Sequence, residues 1–333
     1  MNEKVSLAHG SGGLATARLV REVFVETFAD PELDRLEDQA RIVLPEGQPV
    51  FTTDAFVVDP VFFPGGDIGR LAVCGTVNDL AVGGARPLYL GCAFILEEGL
   101  ALADLRRIAE SMKRAADEAG VRLVTGDTKV VPRGAADRVF ITTSGVGVVP
   151  PGLDLGAHRL RPGDRILVSG PLGDHGAAVV DARGELGLEH DIVSDCQPLA
   201  DLVEALVSQV PVHALRDPTR GGLAAVLNEW AQASGLDLTV EEAAVPVRNA
   251  VRGLCELLGL DPLYLACEGR VVAAVPSAAA DAALALLRRH PRGREAARIG
   301  EVNGAGGTVI LETPIGGRRL LDLPVGEPLP RIC

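Results

Sequence analysis

A chain of 333 residues exceeds the size at which one hydrophobic core usually stops growing, so two domains are expected. With 47% apolar and 23% charged residues and 39 glycines, it is no disordered chain but a packed protein with many tight turns. A net charge of −13, with no cluster of Lys and Arg among aromatics, argues against nucleic acid and anionic membrane surfaces as partners.

The start, MNEKVSLAHGSGG, lacks a charged-then-apolar signal pattern, and no apolar run approaches the ~20 residues that span a bilayer, so a cytoplasmic protein is expected. Leu19, Val20, Val23, Phe24 and Phe28 recur at helical spacing and predict an amphipathic helix over 14–29. Strands are expected at 50–53 and 88–96, flanking a helix over 67–82. A helix over 102–119 stops at Gly120, and strands follow at 121–125 and 139–149. The Pro- and Gly-rich stretch 150–164 breaks both periodicities and marks the domain boundary. Beyond it come strands at 165–169, 236–241 and 270–275 and helices near 174–184, 198–209, 221–234, 247–259 and 278–290. The spacing is not that of a doubly wound sheet and favours sheets covered by helices on one face. The end, LLDLPVGEPLPRIC, has prolines at 324, 328 and 330 and predicts an extended, exposed tail.

Four aspartates sit where predicted elements meet loops: Asp54 in TTD, Asp79 in VND, Asp127 in TGDTK and Asp217 in RDPTRGG. Carboxylates are the ligands Mg²⁺ prefers, and a nucleoside triphosphate needs that ion. Taken singly, each is equally a turn residue or a helix cap. HGSGG, with Ser11, Gly12 and Gly13, opens a helix whose first amides favour an anion, although a flexible leader has the same composition. There is no Walker loop and no strand-linked G-x-G-x-x-G, so an ATP site here belongs to another class.

Six cysteines are scattered without a C-x-x-C pair, which excludes a disulfide framework and structural zinc. Cys74, Cys92, Cys196, Cys255 and Cys267 lie among apolar neighbours and read as core. Cys333, the last residue, differs: a thiol on an exposed tail is a liability without a use, whereas a mobile arm that ends in a thiol serves as a carrier. Only three lysines occur, Lys4, Lys113 and Lys129, so a lysine within a motif stands out.

HGSGG, TTDAFVVDPVFFPGGDIGRLAVCGTVNDLAVGGARP, FILEEGL, VTGDTKVV, LGDHG, RDPTRGG, CELLGLD and the terminal LPRIC together resemble the HypE family of hydrogenase maturation proteins, nearly end to end. The resemblance implies a PurM-like, two-domain fold of mixed α+β and α/β character, related to aminoimidazole ribonucleotide synthetase. It implies a glycine-rich segment and helix over 1–37 and an ATP-binding dimerisation domain over 38–150, whose sheet forms a barrel with that of a homodimer mate. A C-terminal α/β domain over 160–313 and a region over 314–333, ending in a flexible tail with reactive Cys333, complete it.

It further implies that Cys333 accepts a carbamoyl group from a HypF-type carbamoyltransferase. ATP-dependent dehydration then yields a thiocyanate, whose cyano group goes to iron on a HypC–HypD complex. ATP and Mg²⁺ are the implied cofactors. Asp54, Asp79 and Asp127 are the metal ligands on this reading. Ser11, Gly12, Gly13, Asn78, Asp79, Asp127, Thr128 and Asp217 surround the nucleotide, and Glu268 and Lys129 lie by the tail cysteine. Read without the family, Glu268 is a surface turn residue and Lys129 half of a structural ion pair. A small-molecule kinase or synthetase of the same superfamily, or a non-catalytic one-carbon carrier, are the alternatives.

Overall fold

The computed structural model describes residues 3–184, 191–323 and 331–333. The strands in chain order are β1 (Gln48–Phe56), β2 (Phe62–Phe63), β3 (Gly66–Asp67), β4 (Arg86–Glu97), β5 (Arg122–Val131), β6 (Val139–Val149), β7 (Arg165–Val168), β8 (Ala214–Arg216), β9 (Leu236–Glu241), β10 (Val272–Val275), β11 (Ala297–Ala305), β12 (Val309–Glu312) and β13 (Arg318–Leu320). The α-helices are α1 (Leu14–Leu19), α2 (Glu26–Phe28), α3 (Ile68–Val82), α4 (Leu102–Ala119), α5 (Asp174–Ala182), α6 (Ala200–Val207), α7 (Gly222–Ser234), α8 (Asn249–Leu258) and α9 (Ala280–Arg289). A π-helical turn, Val20–Val25, joins α1 to α2 into one continuous stretch that buries Leu19, Val23, Phe24 and Phe28.

β1, β6, β4 and β5 form one sheet in that order; only the β4–β5 pair is parallel. Helices α3 and α4 cover one of its faces. The other face is partly open, with Phe51 68% exposed. Helix α3 starts where the Asp67 carboxylate accepts from the amides of Gly69 (2.8 Å) and Arg70 (3.0 Å), a side-chain cap. It is apolar around almost its whole circumference because the sheet, α4 and the C-terminal domain all pack on it. At Gly69 a Cβ would stand 2.5 Å from the Ile108 carbonyl, so only glycine lets α4 approach so closely. Helix α4 ends at Gly120, with φ 68°, the left-handed stop expected from the sequence.

The second sheet runs β13-β12-β9-β11-β7-β10-β8, antiparallel except for β9 with β12. Its strands bury alternate residues on opposite sides. Ile166, Val168, Val272 and Ala274 meet Leu223, Leu227 and Trp230 of α7, whereas Leu167, Ala273 and Val275 meet Leu202 and Leu206 of α6 and Leu287 of α9. The expected one-face covering therefore holds for the first sheet and is corrected for the second. Residues 150–164 join β6 to β7. Strands β11, β12 and β13 carry no expectation from the sequence; their glycines and short runs hide the period-2 signal.

Two of the four aspartates lie differently from their expected places at strand ends: Asp54 is inside β1 and Asp127 inside β5, because both strands run past the apolar residues that reveal them. Asp79 is inside α3, within the helix expected over 67–82, and Asp217 follows β8.

Candidate functional site

Helix α3 delivers Thr76, Asn78 and Asp79 to the junction of the two domains, and β1 brings Thr52 and Asp54 alongside. The Asp54 and Asp79 carboxyls lie close enough to perturb one another. Thr76 donates to Asp54 at 3.0 Å and Thr52 to Asp79 at 3.0 Å. Burial raises the Asp54 pKa, and burial with the Asp54 charge lifts Asp79 to about 6. Asp217, just after β8, is 5% exposed; burial, then the Asp79 charge, brings it to about 7. Crowded carboxyls of this kind fit a site that receives positive charge, such as a Mg²⁺–nucleotide. Among the described residues, no three His, Cys, Asp or Glu side chains of this single chain converge into a complete metal site.

Glu268 is no surface turn residue: it is 2% exposed, it precedes β10 in an irregular segment, and its Oε2 lies over Gly75 of α3. Its Oε1 is buried without a hydrogen-bond partner. Burial, then the charges of Asp217, Asp195 and Asp54, push its pKa well above the usual carboxylate range, which favours its neutral form. Asp195 fixes its backbone by accepting from the Glu268 amide at 3.0 Å.

The other half of the sequence-derived set lies elsewhere. Asp127, Thr128 and Lys129 are on β5, the edge of the first sheet opposite β1. Three strand spacings of ~4.8 Å separate these edges by about 14 Å. The glycine run packs there too, with Gly10 against Val130 and the Gly12 amide donating to Thr16 at 3.0 Å; Ser11, Gly12 and Gly13 are exposed. Lys129 pairs with Asp127 at 2.8 Å, which holds the Asp127 carboxyl below its usual range. Within one chain, therefore, Asp127 does not complete a metal site with Asp54 and Asp79, and Lys129 does not adjoin Glu268.

Asn78 also has a use of its own. It is 1% exposed and directs its whole amide into the junction, donating to the carbonyls of Gln197 (3.1 Å) and Glu268 (3.2 Å) and accepting from the Leu199 amide (2.8 Å).

The chain's end is docked rather than exposed, a correction to the expected tail; Pro324, Pro328 and Pro330 lie outside the described residues. Ile332 is 5% exposed, and half-buried Cys333 packs against the cluster that contains Phe56, Cys74, Cys196 and Ala266. The amides of Val57 and Asp59 donate to the carbonyls of Cys333 (3.2 Å) and Arg331 (3.1 Å). The remaining five cysteines are buried, as expected. Sequence reasoning gave no role to His175, Ser194 and Asp195, which surround the docked end and Glu268. The string LGDHG, which contains His175, was the available signal.

Residues 36–149 match the family model for the N-terminal domain of AIR synthase related proteins, and residues 161–312 match that for the C-terminal domain. The chain is 57% identical to the carbamoyl dehydratase HypE of Rhodobacter capsulatus, over all of this chain and 99% of that protein. It superimposes on hydrogenase maturation protein HypE in complex with ATP with a TM-score of 0.94 at 52% identity, covering 98% of this chain and 99% of the other. A HypE–HypF complex contains a chain 46% identical, TM-score 0.81, covering 92% of this chain and 99% of that one. A fold of two AIR-synthase-related domains, an acidic junction and a docked terminal cysteine thus coincide with full-length similarity, and the chain belongs to the HypE carbamoyl dehydratase family of hydrogenase maturation proteins.

Proposed function

We propose that this chain carries a carbamoyl group on the sulfur of Cys333 and dehydrates it with ATP to a thiocyanate, which supplies the cyanide ligand of a [NiFe] hydrogenase iron. The observation that carries this reading is the seating of the C-terminal cysteine at the same domain junction that buries Glu268 without a partner for its Oε1. The amide oxygen of a carbamoyl group is a poor leaving group. Transfer of the γ-phosphoryl group to that oxygen releases ADP and one N–H proton; departure of phosphate with loss of the second proton forms the C≡N bond.

Glu268 is the group placed to take a proton. Its surroundings favour the neutral form, and positive charge beside it would make it a better proton acceptor. Lys129 supplies that charge, on this reading, from a second copy of the chain. β1 and β5 each have a strand neighbour on one side only among the described residues, which suits closure of the two sheets of a homodimer. Such a dimer would bring the β5 edge, with Asp127, Thr128, Lys129 and residues 11–13, to the Asp54, Asp79 and Asp217 side of its mate. Asp54 and Asp79, with Asp127 of the mate, would then hold Mg²⁺, which offsets phosphate charge. A HypF-type carbamoyltransferase would load Cys333, and a HypC–HypD complex would accept the cyano group.

The test loads Cys333 with a HypF-type transferase, removes nucleotide, then adds ATP or a non-hydrolysable analogue and follows the mass of the C-terminal peptide. Loss of water with ATP alone supports the reading. A carbamoyl peptide that persists with ATP overturns the dehydratase, as does modification of the Cys333→Ser variant for the carrier thiol.

A further inference from the structure

The last three residues are held by backbone bonds, by an Arg331–Asp137 ion pair at 2.8 Å and by one buried side chain. The carbonyls of Arg331 and Cys333 accept from the amides of Asp59 and Val57, which pins the end of the chain to the segment that follows β1. Arg331 is left-handed (φ 59°), and the Ile332 carbonyl, between the two paired residues, is turned to a different partner. It meets His175 Nε2 at 2.9 Å. A carbonyl only accepts, so Nε2 carries the hydrogen and Nδ1 is the bare nitrogen of a neutral ring. Nδ1 lies 2.8 Å from Ser194 Oγ, which donates to it and itself accepts from the Cys196 amide at 3.1 Å. The imidazole is fully buried, and Phe63 stands against it edge to face, with ring centroids 5.4 Å apart.

We propose that His175, held in one tautomer and orientation by Ser194, is a positioning residue that seats the C-terminal carrier segment, and so divides the time of Cys333 between loading outside and reaction inside. The division rests on the dehydration proposed above; the seating does not. Burial depresses the His175 pKa to about 4, which keeps the ring neutral and the tautomer unchanged across the physiological range. Removing the imidazole leaves the Ile332 carbonyl buried without a donor. The docked state is then weakened on the order of tenfold, the usual consequence of one orphaned buried carbonyl.

The experiment uses the full-length protein without nucleotide and measures the rate at which iodoacetamide alkylates Cys333, read by peptide mass. His175→Ala should raise this rate roughly tenfold while Cys74, Cys196 and Cys267 stay protected. Ser194→Ala should raise it by a smaller factor, because the ring keeps its bond to Ile332 and loses only its orientation. Glutamine offers an N–H and a carbonyl, so His175→Gln should return the rate to within a few-fold of the starting protein, a rescue that a purely space-filling role would not give. On carbamoylated protein, His175→Ala should slow loss of water from the peptide without slowing its loading. A Cys333 rate unchanged in His175→Ala, or equal in His175→Gln and His175→Ala, overturns the proposal. If His175→Ala exposes all the thiols by unfolding, Ser194→Ala decides in its place: a Cys333 rate raised alone supports the seating, an unchanged one refutes it. Altered alkylation in a protein whose carbamoyl group never dehydrates would leave the seating standing and remove the dehydratase.

Discussion

Thr52 donates to the Asp79 carboxylate at 3.0 Å, tying the exposed edge strand β1 to the interior helix α3 across the acidic junction. A hydroxyl that holds a carboxylate in this way fixes where its outer oxygen points. Asp79, and Asp54 through Thr76, are thereby held in fixed orientations at the proposed cation site.

Asp54→Asn and Asp79→Asn should each weaken Mg²⁺–ATP binding about ten- to hundredfold, since a charge-assisted contact is replaced by a neutral one. Calorimetric titration checks this. Affinity equal to that of the unmodified protein in both variants would exclude the two residues from the site.

Asp217 gives a pH dependence. Its folded pKa, about 7, exceeds the ordinary carboxyl value of 3.8, so between these values the folded state binds more protons than the unfolded. Stability from this group is therefore complete below about pH 4 and is lost as pH rises through 7. Asp217→Asn removes the penalty, and its melting temperature should exceed that of the unmodified protein at pH 8 but not at pH 4. The gain expected at pH 8 is about 1–3 kcal/mol, after discounting for relaxation around the charge. A melting curve at pH 8 identical to that of the parent chain would show that Asp217 is not held out of solvent.

Glu268→Gln should slow dehydration of carbamoylated Cys333 by on the order of 10²–10⁴, the effect of losing a positioned proton acceptor, while loading continues. Lys129→Ala should give the same product pattern. Because the two residues lie on opposite sides of one chain, mixing the two inactive variants tests whether a second copy completes the site. Half of the re-formed dimers would be mixed, and each would contain one intact site, so about a quarter of the activity should return. No recovery after subunit exchange would mean that Lys129 acts elsewhere.

Gly69→Ala should destabilise the N-terminal domain by about 1–3 kcal/mol through overpacking, since the added methyl meets the Ile108 carbonyl at 2.5 Å. Chemical denaturation measures it, and an unchanged midpoint would show that α3 and α4 slide apart freely.

The fold was legible in the sequence where burial writes a period. Helix α4, with Leu105, Ile108, Ala109 and Met112 inward and Gly120 at its stop, is an example. Strands β11 to β13 were not legible, because stretches such as GEVNGAGG carry too few apolar residues to show alternation. Of the site, the acidic residues were visible from their small, flexible neighbours. Their division between the two edges of the sheet was not, since the order β1-β6-β4-β5 is a matter of long-range pairing that no local pattern records. The role of Asn78 was hidden for the same reason: its partners, Gln197, Leu199 and Glu268, are more than a hundred residues away. Glu268 itself read as surface because nothing in LACEGR reveals that its carboxyl is buried against α3, far away in sequence.

Asn78 and Asp79 are consecutive, yet one is bolted to the C-terminal domain and the other faces the proposed nucleotide site. Any displacement of Asp79 along α3 would pull on three hydrogen bonds that cross the domain boundary. These bonds oppose a hinge motion at the boundary. On the proposed function the same sulfur is presented first to another enzyme and then to the chain's own interior, a motion that these bonds do not leave to the domain boundary. Changes in the length of the C-terminal segment should then disturb the exchange between partners far more than changes in the linker over 150–164.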